Sequence, residues 1–181
     1  MAFARAKARE PVGEAGLFEY AVGALSRRMR TERDLRRLMK ARAFPGEAGE
    51  RDMNAVVARL VELKYLSDTR FAQDYTRLRK ENQGFGRRRV AQDLGAKGVG
   101  KELADEALEQ AFGATDEVEL ARKYCERKRI QAPKEPKEVQ RVMGRLMRAG
   151  YSPGAIFKML KGWKVETDES DAEKYGELPE F

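Results

Sequence analysis

The sequence contains no histidine and a single cysteine, Cys125. Histidine is the side chain most often used as a general base near neutral pH, and it is the commonest metal ligand. One cysteine can form neither an internal disulfide nor a cysteine-based metal site. The Gly-x-Ser-x-Gly pattern of a serine hydrolase is missing as well. We therefore predict that the protein is not an enzyme and that it binds neither a metal nor a cofactor.

Long apolar runs are also missing. No stretch approaches the roughly 20 apolar residues of a membrane-spanning helix. The first residues are basic but contain no apolar core of a secretory signal. The sequence therefore predicts a cytoplasmic protein, kept in a reducing compartment, with no membrane partner.

One segment has the glycine spacing of a phosphate-binding loop. Residues 95–101 match the first seven positions of a P-loop, but the eighth residue is Glu102, where a magnesium-binding hydroxyl belongs. The segment also follows an arginine-rich helix instead of a buried strand. We interpret Gly98 and Gly100 as the end of one helix and the beginning of the next.

A pattern that ends a helix occurs three times, at residues 35–44, 90–99 and 142–151. Each copy has an aliphatic residue, an apolar residue four positions later, a small residue four positions after that and then a bulky apolar residue. The copies are offset by 55 and 52 residues. A repeat of this length is typical of one supersecondary unit used several times, because each unit buries a face that it cannot bury alone.

Apolar residues recur at helical spacing along the chain, and β-branched residues are scarce. The sequence therefore predicts an all-α fold of three tandem three-helix repeats in an extended, curved arrangement. The predicted segments are a disordered basic leader at 1–16, repeats at 17–66, 67–113 and 114–164, and an acidic tail at 165–181.

Several predictions concern the ends of helices. We place the beginning of the first helix at Leu17, that of the third near Asp52, and a break between helices at residues 82–86. The residues expected to cap a helix N-terminus with their side chains are Thr31, Asp68, Thr115 and Ser152.

Charge is distributed unevenly. The net charge is +7, but residues 1–164 hold 36 Lys and Arg against 23 Asp and Glu, and residues 165–181 hold one Lys against seven acids. A body of +13 with a tail of −6 favours an anionic partner, most plausibly nucleic acid. The alternative is a solvated, charge-rich surface without a partner. The tail could compete with a partner for the basic surface, or it could serve solubility alone.

Basic residues cluster at corresponding places in the predicted repeats. The residues predicted to contact a partner or nucleic acid are Arg36, Arg37, Lys40, Arg77, Arg79, Lys80, Arg87, Arg88, Arg89, Lys123 and Arg127. The run from Arg87 to Arg89 opens a predicted helix, where positive charge is locally unfavourable and an external anion would offset the cost. Tertiary carboxylates, or simple solvation of this face, are the alternatives.

Aromatic residues rarely accompany these charges, and Phe85 is the main exception. Contacts to a nucleic acid would therefore be made mainly to its backbone, with little sequence specificity. No dimerisation segment is evident, so we expect a monomer.

Three blocks of the sequence resemble the RecX family, regulators of the RecA recombinase. Residues 63–72 resemble the family block Leu-Gly-Tyr-Leu-Asp-Asp-x-x-Phe-Ala, with Lys64 where the family favours Gly and Ser67 where it favours Asp. Residues 86–99 resemble the next block, Gly-x-x-x-Ile-x-x-x-Leu-x-x-Lys-Gly-Ile, and residues 30–37 resemble the signature of the first repeat. The helix ending at residues 146–151, followed by Ser152, resembles that of the family's third repeat. The resemblance covers residues 17–163, although residues 44–52 look longer than the family's usual turn.

The resemblance implies three tandem three-helix repeats that dock in the groove of RecA–DNA filaments. It implies inhibition of ATP hydrolysis and strand exchange by RecA, and hence a role in recombination, DNA repair and the SOS response. It also implies binding to single- and double-stranded DNA. We interpret the matching blocks mainly as fold markers, with Tyr65, Leu66 and Phe71 in a core. A stand-alone DNA-binding protein is the alternative function, and an RNA-associated scaffold is a third.

Overall fold

The computed structural model describes residues 10–163, and every regular element in that range is a helix, which confirms the predicted all-α class. A π-helix, Arg79–Gln83, continues α4. The α-helices are α1 (Glu14–Arg27), α2 (Glu32–Lys40), α3 (Glu47–Glu62), α4 (Asp68–Leu78), α5 (Arg87–Ala96), α6 (Lys101–Phe112), α7 (Glu117–Arg127), α8 (Pro136–Arg148) and α9 (Pro153–Gly162). Over the described residues, none of these helices has the length and apolarity needed to cross a membrane.

The described chain separates into two compact units, residues 10–71 with Lys97–Val99, and residues 72–96 with 100–163. In the first unit, α1, α2 and α3 pack on one another. The core between them contains Leu17, Ala21, Leu35, Met39, Val56 and Leu60. In the second unit, α5 packs on α6, and α9 packs on α7 and α8. Three helices fall within each predicted repeat, and the boundaries of the repeats stay a prediction.

The first helix begins earlier than the sequence analysis placed it. α1 begins at Glu14, three residues before Leu17, and Val12 packs against the core of the first unit. Residues 12–16 are therefore not part of a disordered leader. Residues 1–9 and the predicted acidic tail lie outside the described residues.

The third helix also begins earlier, at Glu47 instead of near Asp52. The residue before it, Gly46, has φ of +76°, a left-handed conformation that glycine adopts without strain. This turn leads the chain directly into α3, and the acidic residues Glu47 and Glu50 suit the first turn of a helix. The segment that departs from the family's turn is thus largely helix.

Two side chains from separate elements cap the beginning of α2. The hydroxyl of Thr31 accepts the N–H of Asp34 at 3.1 Å, which confirms the predicted cap, and donates to the carbonyl of Lys97 at 2.8 Å. The prediction for Asp68 was wrong: it is the first residue of α4, and its carboxylate accepts the N–H of Glu32 at 2.8 Å. Asp68 therefore caps α2 instead of its own helix.

Of the caps predicted for α7 and α9, one is confirmed and the other is wrong. Ser152 caps α9 as predicted, because its hydroxyl accepts the N–H of Ala155 at 3.3 Å. Thr115 does not cap α7, which begins one residue too late for that role. Asp116 does so instead, accepting the N–H of Val118 at 2.8 Å, while the Thr115 hydroxyl donates to a carbonyl in the last turn of α6.

The threefold helix-ending pattern is structurally equivalent in two copies. After α5 and α8 the chain turns at Gly98 and Gly150, with φ of +78° and +95°, and the bulky residue that follows each glycine is buried. In the first copy Ala43 takes the glycine position, and alanine does not readily adopt this conformation. Phe44 is accordingly 46% exposed.

Candidate partner-binding surface

The segment that leads into α5 is held against the end of α8. The N–H of Gly86 donates to the carbonyl of Ala149 at 2.8 Å, and the N–H of Arg88 donates to that of Gly150 at 3.3 Å. A Cβ at Gly86 would lie 2.3 Å from the carbonyl oxygen of Gly150, so this approach requires glycine. The break before α5 is shorter than predicted, because the π-helix includes residues 82 and 83.

Tyr151 fixes the same segment from inside the second unit. Its ring is 1% exposed, and its hydroxyl donates to the carbonyl of Gly84 and lies 3.1 Å from that of Leu120. Burial raises the pKa of this hydroxyl, so it remains a protonated donor at neutral pH. The segment before α5 is therefore anchored at its beginning and at its end, and it presents the first turn of α5 in a fixed position.

That first turn carries the three predicted arginines, and they have different surroundings. Arg87 pairs with Glu109 at 2.8 Å, and Arg89 pairs with Asp93 at 3.1 Å. The side chain of Arg88 is exposed and forms no ion pair or hydrogen bond with any residue in the described range. Internal carboxylates thus offset two of the three charges at this helix N-terminus.

Arg88 borders a cavity of about 260 Å³ in the second unit. The lining residues are Arg87, Arg88, Phe112, Thr115, Glu117, Leu120 and Ser152. The carboxylate of Glu117 is already engaged, since it accepts the N–H of Ser152 at 2.7 Å and its hydroxyl at 2.6 Å. The cavity therefore combines an apolar wall with an unpaired guanidinium, which suits an anionic side chain or a phosphate.

Two predicted contact residues also form contacts within the second unit. Arg79 pairs with Asp93 at 3.1 Å and donates to the hydroxyl of Tyr75 at 2.5 Å. Lys80 donates to the carbonyl of Ala111 at 2.5 Å and to the hydroxyl of Thr115 at 2.7 Å. These contacts make Arg79 and Lys80 structural residues, a role that the sequence analysis did not assign to them.

The predicted contact residues of the first unit lie on α2. Arg36 pairs with Glu32 at 2.7 Å and donates to the amide oxygen of Asn54 at 2.7 Å. Arg37 pairs with Asp34 at 3.2 Å, although its side chain is 76% exposed. Lys40 is exposed and has no ion pair among the described residues.

The remaining predicted residues belong to the second unit. Arg77 pairs with Asp74 at 3.2 Å and lies 3.4 Å from Glu81. Lys123 is 3.8 Å from the carboxylate of Glu119. Arg127 is exposed and without an ion pair in the described part of the chain. Of the predicted cations in this unit, Arg88 and Arg127 are therefore the ones left for an external anion.

Phe85 is not a free stacking platform. Its ring is half-buried and packs against the core around α7, α8 and α9. The guanidinium groups of Arg79 and Arg89 lie 5.5 and 5.7 Å from the ring centroid. Contacts to a nucleic acid at this surface would therefore involve charge more than base stacking.

The sequence analysis missed an exposed apolar group at the end of α3. Val61, Leu63 and Tyr65 are 49%, 48% and 62% exposed. The prediction that Tyr65 lies in a core was wrong, whereas Leu66 and Phe71 are buried as predicted. The chain turns at Lys64, whose φ is +59°, and this turn sends Tyr65 outward. The sequence offered one signal for this turn, because Lys64 stands where the family block has glycine.

The described fold is all-helical, and the chain has a net charge of +7. The family profile described as "RecX, second three-helix domain" matches residues 67–108. "Regulatory protein RecX" of Streptomyces coelicolor is 31% identical over 172 residues, which cover 93% of this chain and 87% of that protein. The protein of the same name from Trichlorobacter lovleyi is 32% identical over 131 residues, which cover 70% of this chain and 82% of that protein. The chain belongs to the RecX family.

Solved structures agree with this assignment. A crystal structure of regulatory protein RecX superposes with a TM-score of 0.66 at 27% identity, covering 82% of this chain and 71% of that one. RecX from Lactobacillus salivarius has a TM-score of 0.64, with coverage of 83% and 96%. At 19% identity, the latter comparison supports the fold alone. The resemblance predicted from the three sequence blocks is confirmed.

Proposed function

We propose that this protein is a cytoplasmic, monomeric regulator that binds RecA and RecA–DNA filaments and inhibits ATP hydrolysis and strand exchange by RecA. In this way it would modulate homologous recombination, DNA repair and the SOS response, without catalysis of its own. Membership of a family of regulatory proteins supports the proposal. The observation that carries it is Arg88, held by a fixed backbone beside a cavity and left without a carboxylate among the described residues.

The physical argument concerns the beginning of α5. A helix N-terminus repels positive charge, yet three arginines stand there. Glu109 and Asp93 offset Arg87 and Arg89 but not Arg88. An exposed, unpaired arginine with a fixed backbone can form bidentate hydrogen bonds with a carboxylate on a protein partner or with a phosphate of DNA.

The test is ATP hydrolysis by RecA on single-stranded DNA, with this protein titrated in. We expect the wild type to inhibit at amounts far below those that coat the DNA, and R88A to require several-fold more protein. R122A is the matched control, because Arg122 is an exposed arginine of the same unit that already pairs with Glu119 at 2.9 Å. Single substitution of Arg88 is preferred, since removing Arg87 or Arg89 would also release Glu109 or Asp93.

Arg127 and Lys40 favour the alternative of a stand-alone DNA-binding protein, because each is an exposed cation with no ion pair among the described residues. If inhibition appears only when the protein saturates the DNA, competition for DNA explains it. If RecA is not inhibited at all but the protein binds DNA alone, the alternative replaces the proposed function.

A further inference from the structure

A second basic cavity lies in the second unit, and none of the predicted contact residues lines it. Its volume is about 450 Å³, and residues of the loop that follows α7 and of α8 line it. The cations in this lining are Arg129, Lys134, Arg141 and Arg145. Arg141 and Arg145 are four residues apart on α8 and therefore lie on the same face of that helix.

These four cations lack an internal counter-charge. None of them forms an ion pair with a residue in the range 10–163. The single acid in the lining is Glu138, and its carboxylate accepts the backbone N–H of Lys134 at 2.9 Å. Four like charges around one concave surface repel one another, and the lining contains one carboxylate to compensate them. An external polyanion would remove this repulsion.

The backbone at Arg129 is a separate indication that the cation is needed there. Arg129 has φ of +52°, in the left-handed region where glycine usually ends a helix. Its N–H donates to the carbonyl of Glu126 at 3.0 Å, and the N–H of Ile130 donates to that of Cys125 at 2.8 Å. A side chain in this conformation costs about 1 kcal/mol relative to glycine. The chain therefore carries a strained arginine at the edge of the cavity.

We propose that this cavity binds successive phosphodiester groups of a nucleic acid strand without reading its bases. A strand supplies negative charges at regular spacing, which matches several cations around one groove, and guanidinium groups bind phosphate bidentately. The apolar part of the lining is formed by Ile130, Ala132, Pro133 and Val142, and no aromatic side chain contributes to it. Base stacking therefore has no platform in the cavity.

The choice of nucleic acid over other polyanions rests on the proposed function, which this site deepens by giving DNA a place of contact. The experiment uses the full chain without RecA and measures fluorescence anisotropy of a labelled oligothymidylate of about 20 nucleotides across a series of sodium chloride concentrations. R141A/R145A is compared with R59A/R122A, which removes the same charge from two exposed arginines that were not predicted contacts. Arg59 already lies over the ring of Phe18 at 4.5 Å, and Arg122 already pairs with Glu119 at 2.9 Å.

We expect R141A/R145A to bind about tenfold more weakly than the wild type at low salt, as the loss of two charge contacts implies. The slope of log affinity against log salt should fall by about 1.4, because each phosphate neutralised on a single strand contributes about 0.7. R59A/R122A should change the slope much less, and R141K/R145K should keep it near the wild-type value. The ratio of wild-type affinity to R141A/R145A affinity should be the same for an abasic oligomer as for the oligothymidylate, because the bases are not read.

An unchanged slope in R141A/R145A, or a fall equal to that of R59A/R122A, would overturn the phosphate site. So would a variant that loses affinity for polyglutamate but not for the oligomer, since the cavity would then bind an acidic protein segment. Circular dichroism of each variant checks that the helices are retained. If the phosphate site is wrong, R141A/R145A keeps the wild-type slope while the wild type still inhibits RecA. If the proposed function is wrong, the wild type does not inhibit RecA, but R141A/R145A still has a smaller salt slope than the wild type.

Discussion

At the scale of single residues, nearby carboxylates lower the free energy that a cation would gain from an external anion. Arg87, Arg88 and Arg89 are consecutive and exposed, yet two of them have a carboxylate within 3.1 Å and the third has none in the described range. Exposed ion pairs contribute about 0.2–1 kcal/mol each, so they do not lock Arg87 or Arg89 in place. They do lower the gain from an external anion at those positions, which makes Arg88 the residue of greatest expected effect.

Tyr151→Phe should destabilise the second unit and loosen the segment before α5. The substitution leaves the carbonyl of Gly84 without the donor that it has in a buried site. The loss of one buried hydrogen bond costs about 1–3 kcal/mol when a partner is left unsatisfied. Urea unfolding followed by circular dichroism measures it. Tyr124→Phe is the comparison, because the Tyr124 hydroxyl has no hydrogen bond within residues 10–163 and its loss should cost little.

Lys64→Gly should stabilise the first unit by about 1 kcal/mol, because glycine adopts the left-handed conformation without strain. The φ of Lys64 is +59°, and its N–H donates to the carbonyl of Val61 at 3.0 Å, a bond that glycine keeps. Thermal and urea unfolding measure the stability of Lys64→Gly and Lys64→Ala. Both variants remove the positive charge, but only glycine relieves the strain of the left-handed backbone. An equal gain in the alanine variant would attribute the effect to removal of the positive charge and contradict the prediction.

At the scale of elements, helix ends in this protein are completed by residues that are distant in sequence. The first turn of α2 uses Asp68, 36 residues away, and Glu117 binds Ser152 at the beginning of α9, 35 residues away. Such caps join a helix terminus to another helix, so one hydrogen bond orients two elements. Local sequence rules identified Thr31 and Ser152, because these side chains act within their own helix.

Asp68→Asn should make the stability of the first unit less dependent on pH. Burial raises the pKa of Asp68, and the hydrogen bond from the N–H of Glu32 acts in the opposite direction. A carboxyl with a raised pKa contributes stability that is fully present below its unfolded pKa of 3.8 and is lost as the pH rises through the folded value. Asparagine keeps an oxygen for the Glu32 N–H and does not ionise.

Urea unfolding at a series of pH values from about 3 to 7 tests this expectation, since the window begins at the unfolded pKa of the carboxyl. The free energy of unfolding of Asp68→Asn should rise relative to the wild type across that window. Asp68→Ala serves as the control and should lie about 1 kcal/mol below Asp68→Asn at every pH, because neither variant ionises and only alanine removes the cap. Parallel curves for Asp68→Asn and the wild type would show that ionisation of Asp68 does not affect folding.

At the scale of the whole molecule, the dominant property is the charge difference between the body and the acidic tail. The body carries +13 over residues 1–164, and the tail carries −6 over residues 165–181. The tail lies outside the described residues. We expect this charge to reduce the affinity of the body for a polyanion at low ionic strength, either by direct competition or by lowering the net charge.

A chain that ends before Val165 should bind single-stranded DNA more tightly than the full chain at about 0.05 M salt, and the difference should shrink towards about 0.5 M as screening increases. Anisotropy titrations of the two chains with one labelled oligomer measure the effect. A tail with every acid replaced by its amide is the matched control for length, and it should behave like the truncated chain. Equal affinities at low salt would leave the tail a role in solubility alone.

The sequence by itself determined the all-α class, the family and the helix ends that are encoded locally. Apolar spacing of helical period fixes the helices, and the glycines at positions 98 and 150 end two of them, because few other residues adopt a left-handed turn without strain. The caps at Thr31 and Ser152 belong to the same class, since the interacting atoms are three residues apart.

The tertiary structure decided which charges are available and which apolar residues face solvent. Arg79 and Arg88 both belong to basic clusters of the sequence, which does not tell them apart. In the structure Arg79 pairs with Asp93, whereas Arg88 pairs with no described carboxylate. Tyr65 is exposed because the chain turns at Lys64, and the cavity beside Arg129 forms between the loop after α7 and helix α8. These features depend on contacts between residues distant in sequence, and local patterns carry no information about such contacts.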